Sequence, residues 1–350
     1  MMGEYPQFRV CVRCNTYNQK DYIQETMDGF VMQRTNFPFV CCIIDDASTD
    51  GEQEVIRKYV QENFDWGEGA VAYTSETDYA YIIFAQHKTN RNCYFVVIFL
   101  KENHFQVKKA KIPYLSEWRG LCEYEALCEG DDYWIVDTKL QKQVDFLDVH
   151  PNYSFCHTAF KFYYEETGEY KERVLQYSPT EAENNPYLLY RGGYRIQNLT
   201  VMYRRELFNS ILTIDPKYMR GHFLMGDTQV WVMLLQKGFV GYLPEVTSIY
   251  RVHRGSNSRA TTYAGQLRFN LSSSERKLYE VRHGYVKVPF IKYLQWRYHF
   301  LKVYVLMHPE YPQYKPLESY WFDRFVIKIS EFPLFRRWLQ GHLKSKILKP

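Results

Sequence analysis

Two phosphate-binding signatures are missing from this 350-residue chain. No GxGxxG follows either of the first two strand-like segments, and no GxxxxGKS/T occurs anywhere. Both devices set glycine-rich backbone against phosphate, so the dinucleotide-binding and P-loop classes lose their support. Long apolar runs are scarce as well: the longest, Tyr94 to Leu100, falls far short of the ~20 residues that cross a bilayer. Charge of one sign is nearly balanced, and a net charge of +4 gives no case for a nucleic-acid partner. There is no internal repeat and no low-complexity tract. Eight cysteines are present, but Cys11 and Cys14 have no second pair at zinc-ribbon spacing, and on a strand they would face opposite sides of the sheet. With no secretory signal read at the N-terminus, Cys11, Cys41, Cys42 and Cys128 are expected as reduced core thiols of a cytoplasmic protein.

Aromatic residues make up 18% of the chain, including 32 tyrosines, whose flat faces and polar edges suit sugar or base stacking as well as core filling. Phe8 to Cys14 alternates as a strand, Tyr22 to Met32 has helical spacing, Phe39 to Ile44 is a continuously apolar strand, and Glu52 to Asn63 is a helix capped from Ser48, Thr49 or Asp50. This β-α-β-α order with polar loops at the strand ends is the grammar of a nucleotide-binding half. The chain is organised around Ala126 to Trp134, an apolar strand running into Glu129-Gly130-Asp131-Asp132. In open α/β sheets ligands bind at the carboxyl ends of strands, and three carboxylates in four residues repel one another unless a cation is present. Hard oxygen ligands on a short turn suit Mg²⁺ or Mn²⁺; the plain alternative is a solvated acidic turn. Near residue 250, Arg251, His253 and Arg254 flank a Gly-Ser turn and form a candidate diphosphate clamp, since Arg forks match phosphate oxygens.

Taken in order, Asn15-Thr16-Tyr17-Asn18, Gln33 with Asn36-Phe37-Pro38, Asp45 to Gly51, Glu129 to Trp134 and Lys139-Leu140-Gln141-Lys142-Gln143 resemble glycosyltransferase family 2. The resemblance covers about residues 6 to 258. It implies a GT-A fold, a Rossmann-like and mostly parallel sheet flanked by helices, followed by a helical extension. The catalytic domain is expected over 1–260, with a nucleotide-binding half over 1–135 and an acceptor-side half over 136–260. Residues 64–116 depart from the commonest spacing and are expected as an added segment, a lid, an oligomer contact or a basic loop. Residues 261–350 are basic and aromatic, suiting either a helical cap or peripheral contact with an anionic membrane face.

The family resemblance implies an inverting transferase that takes a sugar from a nucleotide donor, UDP-linked, to a glycan or lipid-linked acceptor. Thr16, Tyr17, Asn18, Asp45 and Asp46 are expected at the nucleotide, with Asp131 at the ribose. Asp132, with Asp131 and His253, is expected to hold the metal. Asp227 is expected as the catalytic base, although its place before an apolar helix over Val230 to Gln236 also suits an N-cap. Two readings compete: a catalytically silent binding or assembly module, and a sugar nucleotidyltransferase, whose glycine-rich Arg-containing loop is missing here.

Overall fold

The computed structural model describes residues 5–172, 196–219, 221–253 and 262–307, with scattered residues between 317 and 341. They form two compact units. The first comprises Met1–Asn185, Gly192–Ser210 and Lys237–His253, and the second comprises Pro186–Arg191, Ile211–Gln236 and Arg254–Pro350. Ile211–Gln236 groups with the C-terminal helices in the second unit.

In the first unit, β1 (Val10–Thr16), α1 (Ile23–Val31), β2 (Phe39–Asp45) and α2 (Glu52–Asn63) follow one another as the apolar spacing predicts. β3 (Ala72–Glu76), β4 (Ala80–Gln86) and β5 (Cys93–Leu100) come next. A 3₁₀ turn (Ile112–Leu115) and the single-turn helix α3 (Ser116–Arg119) then lead to β6 (Tyr124–Leu127) and β7 (Tyr133–Trp134). The helix α3 is one turn long, because Gly120 ends it and Tyr124 already pairs as strand. After α4 (Lys139–Val149) come β8 (Tyr153–Tyr164), β9 (Glu169–Glu172), β10 (Val201–Arg204), the helix α5 (Arg205–Ile211) and β11 (Phe239–Val252).

Among the described residues the strands form one sheet in the order β3-β4-β5-β2-β1-β6-β10-β8-β11-β7, with β9 paired to β8. Parallel pairing runs through β5-β2-β1-β6 and between β8 and β11, and the other pairs are antiparallel. The sheet is accordingly more mixed than expected. Residues 64–116 are also less of an appendage than their spacing predicts. They supply β5, every residue of which is buried, beside β2 in the parallel centre, and only β4 and β3 extend that edge antiparallel. β2 is buried along its whole length, as a strand covered on both faces must be. Cys11 and Cys14 belong to core layers on opposite faces, as period-2 geometry requires.

In the second unit, α6 (Pro216–Met219) and α7 (Gly226–Leu234) are followed by α8 (Tyr263–Arg282) and α9 (Ile291–Met307). Leu267, Leu271 and Leu278 of α8 and Leu294, Tyr298 and Leu301 of α9 are buried. Some of the basic residues turn inward too. Arg276 is buried against Glu280, and Arg297 of α9 reaches Ser274 Oγ at 3.3 Å. No described helix is long and apolar enough to cross a membrane.

Lys139, at the start of α4, is fully buried; its Nζ donates to Gln143 Oε1 at 2.6 Å and sits 4.4 Å from the Trp134 ring centroid. Burial pushes its ammonium down to about 7 from an ordinary value near 10.5. Between those values the unfolded chain keeps a proton that the folded chain has released. Stability therefore rises with pH across that window, and the full cost of the buried charge is carried below it. In Lys139→Met the rise is expected to flatten, read as the urea midpoint between about pH 7 and 9.5. An identical slope in both proteins would assign the titration to another group.

Candidate active site at the strand ends

The carboxyl ends of β1 and β2 are in register, Thr16 opposite Asp45, so the loops that leave them start side by side. Asn18 ties these loops together from a left-handed backbone (φ 55°). Its N–H donates to Ser48 Oγ at 2.9 Å and its Oδ1 accepts from Thr49 N–H at 2.8 Å. Asparagine tolerates that conformation better than most residues. Beneath them lies Glu52, fully buried at the start of α2, accepting from the Thr16 hydroxyl, from Gln19 N–H at 2.9 Å and from Ser48 Oγ at 2.8 Å. Burial raises the Glu52 carboxyl above its ordinary value. Sequence reasoning missed this residue, because a glutamate in the first turn of a helix reads as a surface charge.

Asp45 is fully buried. One oxygen, Oδ1, accepts from Ser48 N–H at 3.2 Å and from the Gln53 side-chain amide, whereas Oδ2 is buried without a hydrogen-bond partner. Burial pushes this carboxyl up as well. A buried acceptor lacking a donor costs about 1–3 kcal/mol and is worth explaining. Tyr17, next to Thr16, is 37% exposed.

The acidic turn follows β6. Thr26 of α1 anchors it, its hydroxyl lying 2.9 Å and 2.7 Å from the carbonyl oxygens of Gly130 and Asp132. Gly130 N–H donates to Asn15 O at 3.1 Å, bringing the turn against the end of β1. A Cβ on Gly130 would stand 2.3 Å from Thr16 Oγ1 and 2.7 Å from Thr16 Cβ, so only glycine fits this crossing. Glu129 is pushed up to about 7, chiefly by burial and then by the charge of Asp131. Asp132, 4% exposed, is raised by the same two causes in the same order.

The last strand of the first unit closes over the turn. Arg251 N–H donates to Asp132 Oδ1 at 2.9 Å and its Nε to Asp131 O at 3.0 Å, while its Nη2 pairs with Glu25. The guanidinium is held among the rings of Tyr22, Tyr133 and Tyr163, with centroids 4.8, 5.2 and 5.5 Å away. Arg251, expected in a diphosphate clamp, thus braces the turn. His253 Nε2 meets Asp131 Oδ2 at 3.0 Å and packs on Tyr22. Arg254, the other half of the expected clamp, lies outside the described residues.

Asp46 also departs from expectation. Its Oδ1 accepts from His104 N–H at 2.7 Å, and its Oδ2 accepts from Phe105 N–H at 3.1 Å and Lys111 Nζ at 2.9 Å. Both oxygens hold the loop after β5. The sequence signal was equivocal, since adjacent aspartates at a strand end do not reveal which one faces inward. Asp227 belongs to the second unit, in the first turn of α7, where Met225 is the N-cap. The helix starts four residues earlier than its apolar run, so Asp227 does not cap it; its Oδ1 accepts from Thr228 N–H at 2.8 Å.

For a divalent cation, the donors present are the facing pair Asp131 and His253, a hard oxygen and an imidazole nitrogen. Among the described residues no three His, Cys, Asp or Glu side chains converge as a complete set. The pair fits a cation that takes its remaining ligands from water and substrate.

The family model for "Glycosyl transferase family 2" matches residues 14–76, the stretch that carries Thr16, Asn18, Asp45 and Glu52. The chain belongs to glycosyltransferase family 2. The uncharacterized protein Rv1520 of Mycobacterium tuberculosis is 32% identical over 243 residues, 68% of this chain and 57% of its own length. The chain thus spans little more than half the length of that relative. Among solved structures, the mannosyltransferase PcManGT from Pyrobaculum calidifontis in complex with GDP-Man and Mn²⁺ shares 14% identity at a TM-score of 0.51, covering 96% of this chain and 84% of that one. S. aureus TarS in complex with UDP-GlcNAc shares 15% identity at a TM-score of 0.50, covering 84% of this chain and 71% of that one. These likenesses establish the fold, which is the GT-A type of family 2.

Because Thr16 is pinned by Glu52, it cannot retreat from an added methyl. Gly130→Ala is expected to destabilise the protein by about 1–3 kcal/mol in chemical denaturation. Adding Thr16→Ala should restore part of that loss, and a fully additive double variant would show that the crossing is not the cause.

Proposed function

We propose that this chain transfers a glycosyl group from a nucleoside diphosphate sugar, UDP-linked, to a hydroxyl of a glycan or lipid-linked acceptor by a single displacement with inversion. The observation that carries the reading is the orphaned Oδ2 of Asp45, a buried acceptor at the end of β2, in register with Thr16 at the end of β1. Uracil presents one N–H that such a carboxylate oxygen reads. TarS bound to UDP-GlcNAc and PcManGT bound to GDP-Man share the fold and support a nucleotide-sugar donor.

Mn²⁺ or Mg²⁺ would be held by Asp131 and His253. In this reading the roles expected of the two aspartates are exchanged: Asp131 faces His253, while Asp132 is buried and accepts from the Arg251 backbone. When bound, the cation supplies Lewis-acid neutralisation of the diphosphate leaving group. Arg251 and its three tyrosines keep the turn in place. Asp227, not used as a helix cap, takes the proton of the acceptor hydroxyl as that oxygen bonds to the anomeric carbon and the bond to the diphosphate oxygen breaks.

A panel of nucleotide sugars with Mn²⁺, followed by release of the nucleoside diphosphate, tests the reaction. Asp227→Asn is expected to lose about 10²–10⁴-fold in transfer while keeping its UDP affinity. Near-full activity in that variant would remove Asp227 from the chemistry. Asp45→Asn, which offers the uracil N–H an amide in place of the carboxylate, should weaken UDP binding by about ten-fold or more. Asp131→Asn should abolish the gain in UDP affinity on adding Mn²⁺. Tight nucleotide binding without turnover of any donor would instead make the chain a binding module.

A further inference from the structure

Away from the acidic turn, the first unit contains a cavity of about 380 Å³ at the sheet edge formed by β3 and β4. Its walls come from that hairpin, from the 3₁₀ turn and α3, and from the segment before β1. Tyr5, Tyr73, Tyr79, Tyr114 and Trp118 line it, with Glu117 beside them. The rings support one another: Tyr79 stacks on Tyr114 at 4.2 Å and 21°, and Tyr73 stacks on Phe84 at 5.2 Å and 19°. Tyr5 OH lies 2.7 Å from Tyr73 OH and donates to Glu117 Oε1 at 2.6 Å. The Trp118 indole N–H is buried and makes no hydrogen bond of good geometry.

The lining chooses among ligand classes. No Lys, Arg or His contributes to it, so a phosphate or a nucleotide would have nothing to neutralise it. Phenol hydroxyls, Ser75, Thr77 and Glu117 make it too polar for a purely aliphatic guest. A neutral molecule with apolar C–H faces and hydroxyl edges matches both halves of the wall, and a saccharide ring has that character. The volume lies at the small end of the ~300–1,000 Å³ of small-molecule pockets, room for about one or two pyranose rings. The wall is also tied to the nucleotide side of the sheet. Tyr114 OH lies 2.9 Å from His104 Nε2, and His104 N–H donates to Asp46, the neighbour of Asp45.

We propose that this aromatic cavity is a saccharide-binding pocket that holds a neutral glycan unit apart from the sugar being transferred. Sugar binding there requires neither donor nor cation, so the proposal stands or falls separately from the transfer reading. Saturation-transfer-difference NMR tests it with three disaccharides, cellobiose, maltose and N,N′-diacetylchitobiose, on the full chain with saturating UDP and Mg²⁺ present. At least one is expected to receive saturation on its ring C–H protons. That signal should fall about ten-fold in Tyr79→Ala, stay in Tyr79→Phe, and vanish in Ser75→Trp, which fills the cavity from the edge strand. Should Tyr79→Ala fail to fold, Ser75→Trp decides. No saturation of any of the three, a signal that UDP displaces, or one that survives Ser75→Trp would overturn the proposal.

Discussion

The acidic strand-end turn of this protein depends on one arginine. Arg251 reaches back from the last strand of the first unit to the acidic turn, bonding the Asp131 carbonyl and the Asp132 carboxylate with its side chain and its own N–H. Three tyrosine rings enclose its guanidinium and shield it from water, which strengthens every polar contact it makes. Without this brace the turn would be a string of mutually repelling carboxylates. With it, Asp131 meets His253, which lies two residues beyond the arginine and just past the end of β11. The end of this strand thus holds the turn, and the residue that follows it supplies the facing imidazole.

A second constraint joins the opposite side of the site. Thr16 must sit within a methyl's width of Gly130, and Glu52 fixes Thr16 from below. Asn18 then fastens the loop after β1 to the loop after β2. The loops after β1 and β2 and the acidic turn are therefore one mechanical piece built on β1. The family match over residues 14–76 takes in the two loops, and the acidic turn lies outside it.

Much of this was legible in the sequence. Period-2 and helical spacing located β1, β2, α1 and α2 within a residue or two, because these elements bury a face and the burial writes the pattern. The acidic turn, Asp45, Asp131 and His253 stood out because chemistry-bearing residues at strand ends have few structural substitutes. What was hidden follows from partners that are distant in sequence. Arg251 reads as a phosphate ligand until its tyrosines are seen, Asp46 as a nucleotide contact until His104 and Lys111 reach it, and Glu52 as solvated until Thr16 donates to it. For the segment over 64–116, length between motifs cannot tell an insertion from a core strand, and the structure has β3, β4 and β5 there. The aromatic excess meanwhile splits between two uses, enclosing Arg251 and walling the edge cavity.

The eight thiols have a consequence of their own. All are free and buried, with Cys11, Cys42 and Cys122 on one side of the sheet and Cys14, Cys41, Cys93, Cys128 and Cys156 on the other. An alkylating reagent can reach any of them only when the layer above it opens. The order in which they become labelled would therefore chart which face of the sheet breathes first, and Cys128, one residue before the acidic turn, would report directly on the loosening of that turn.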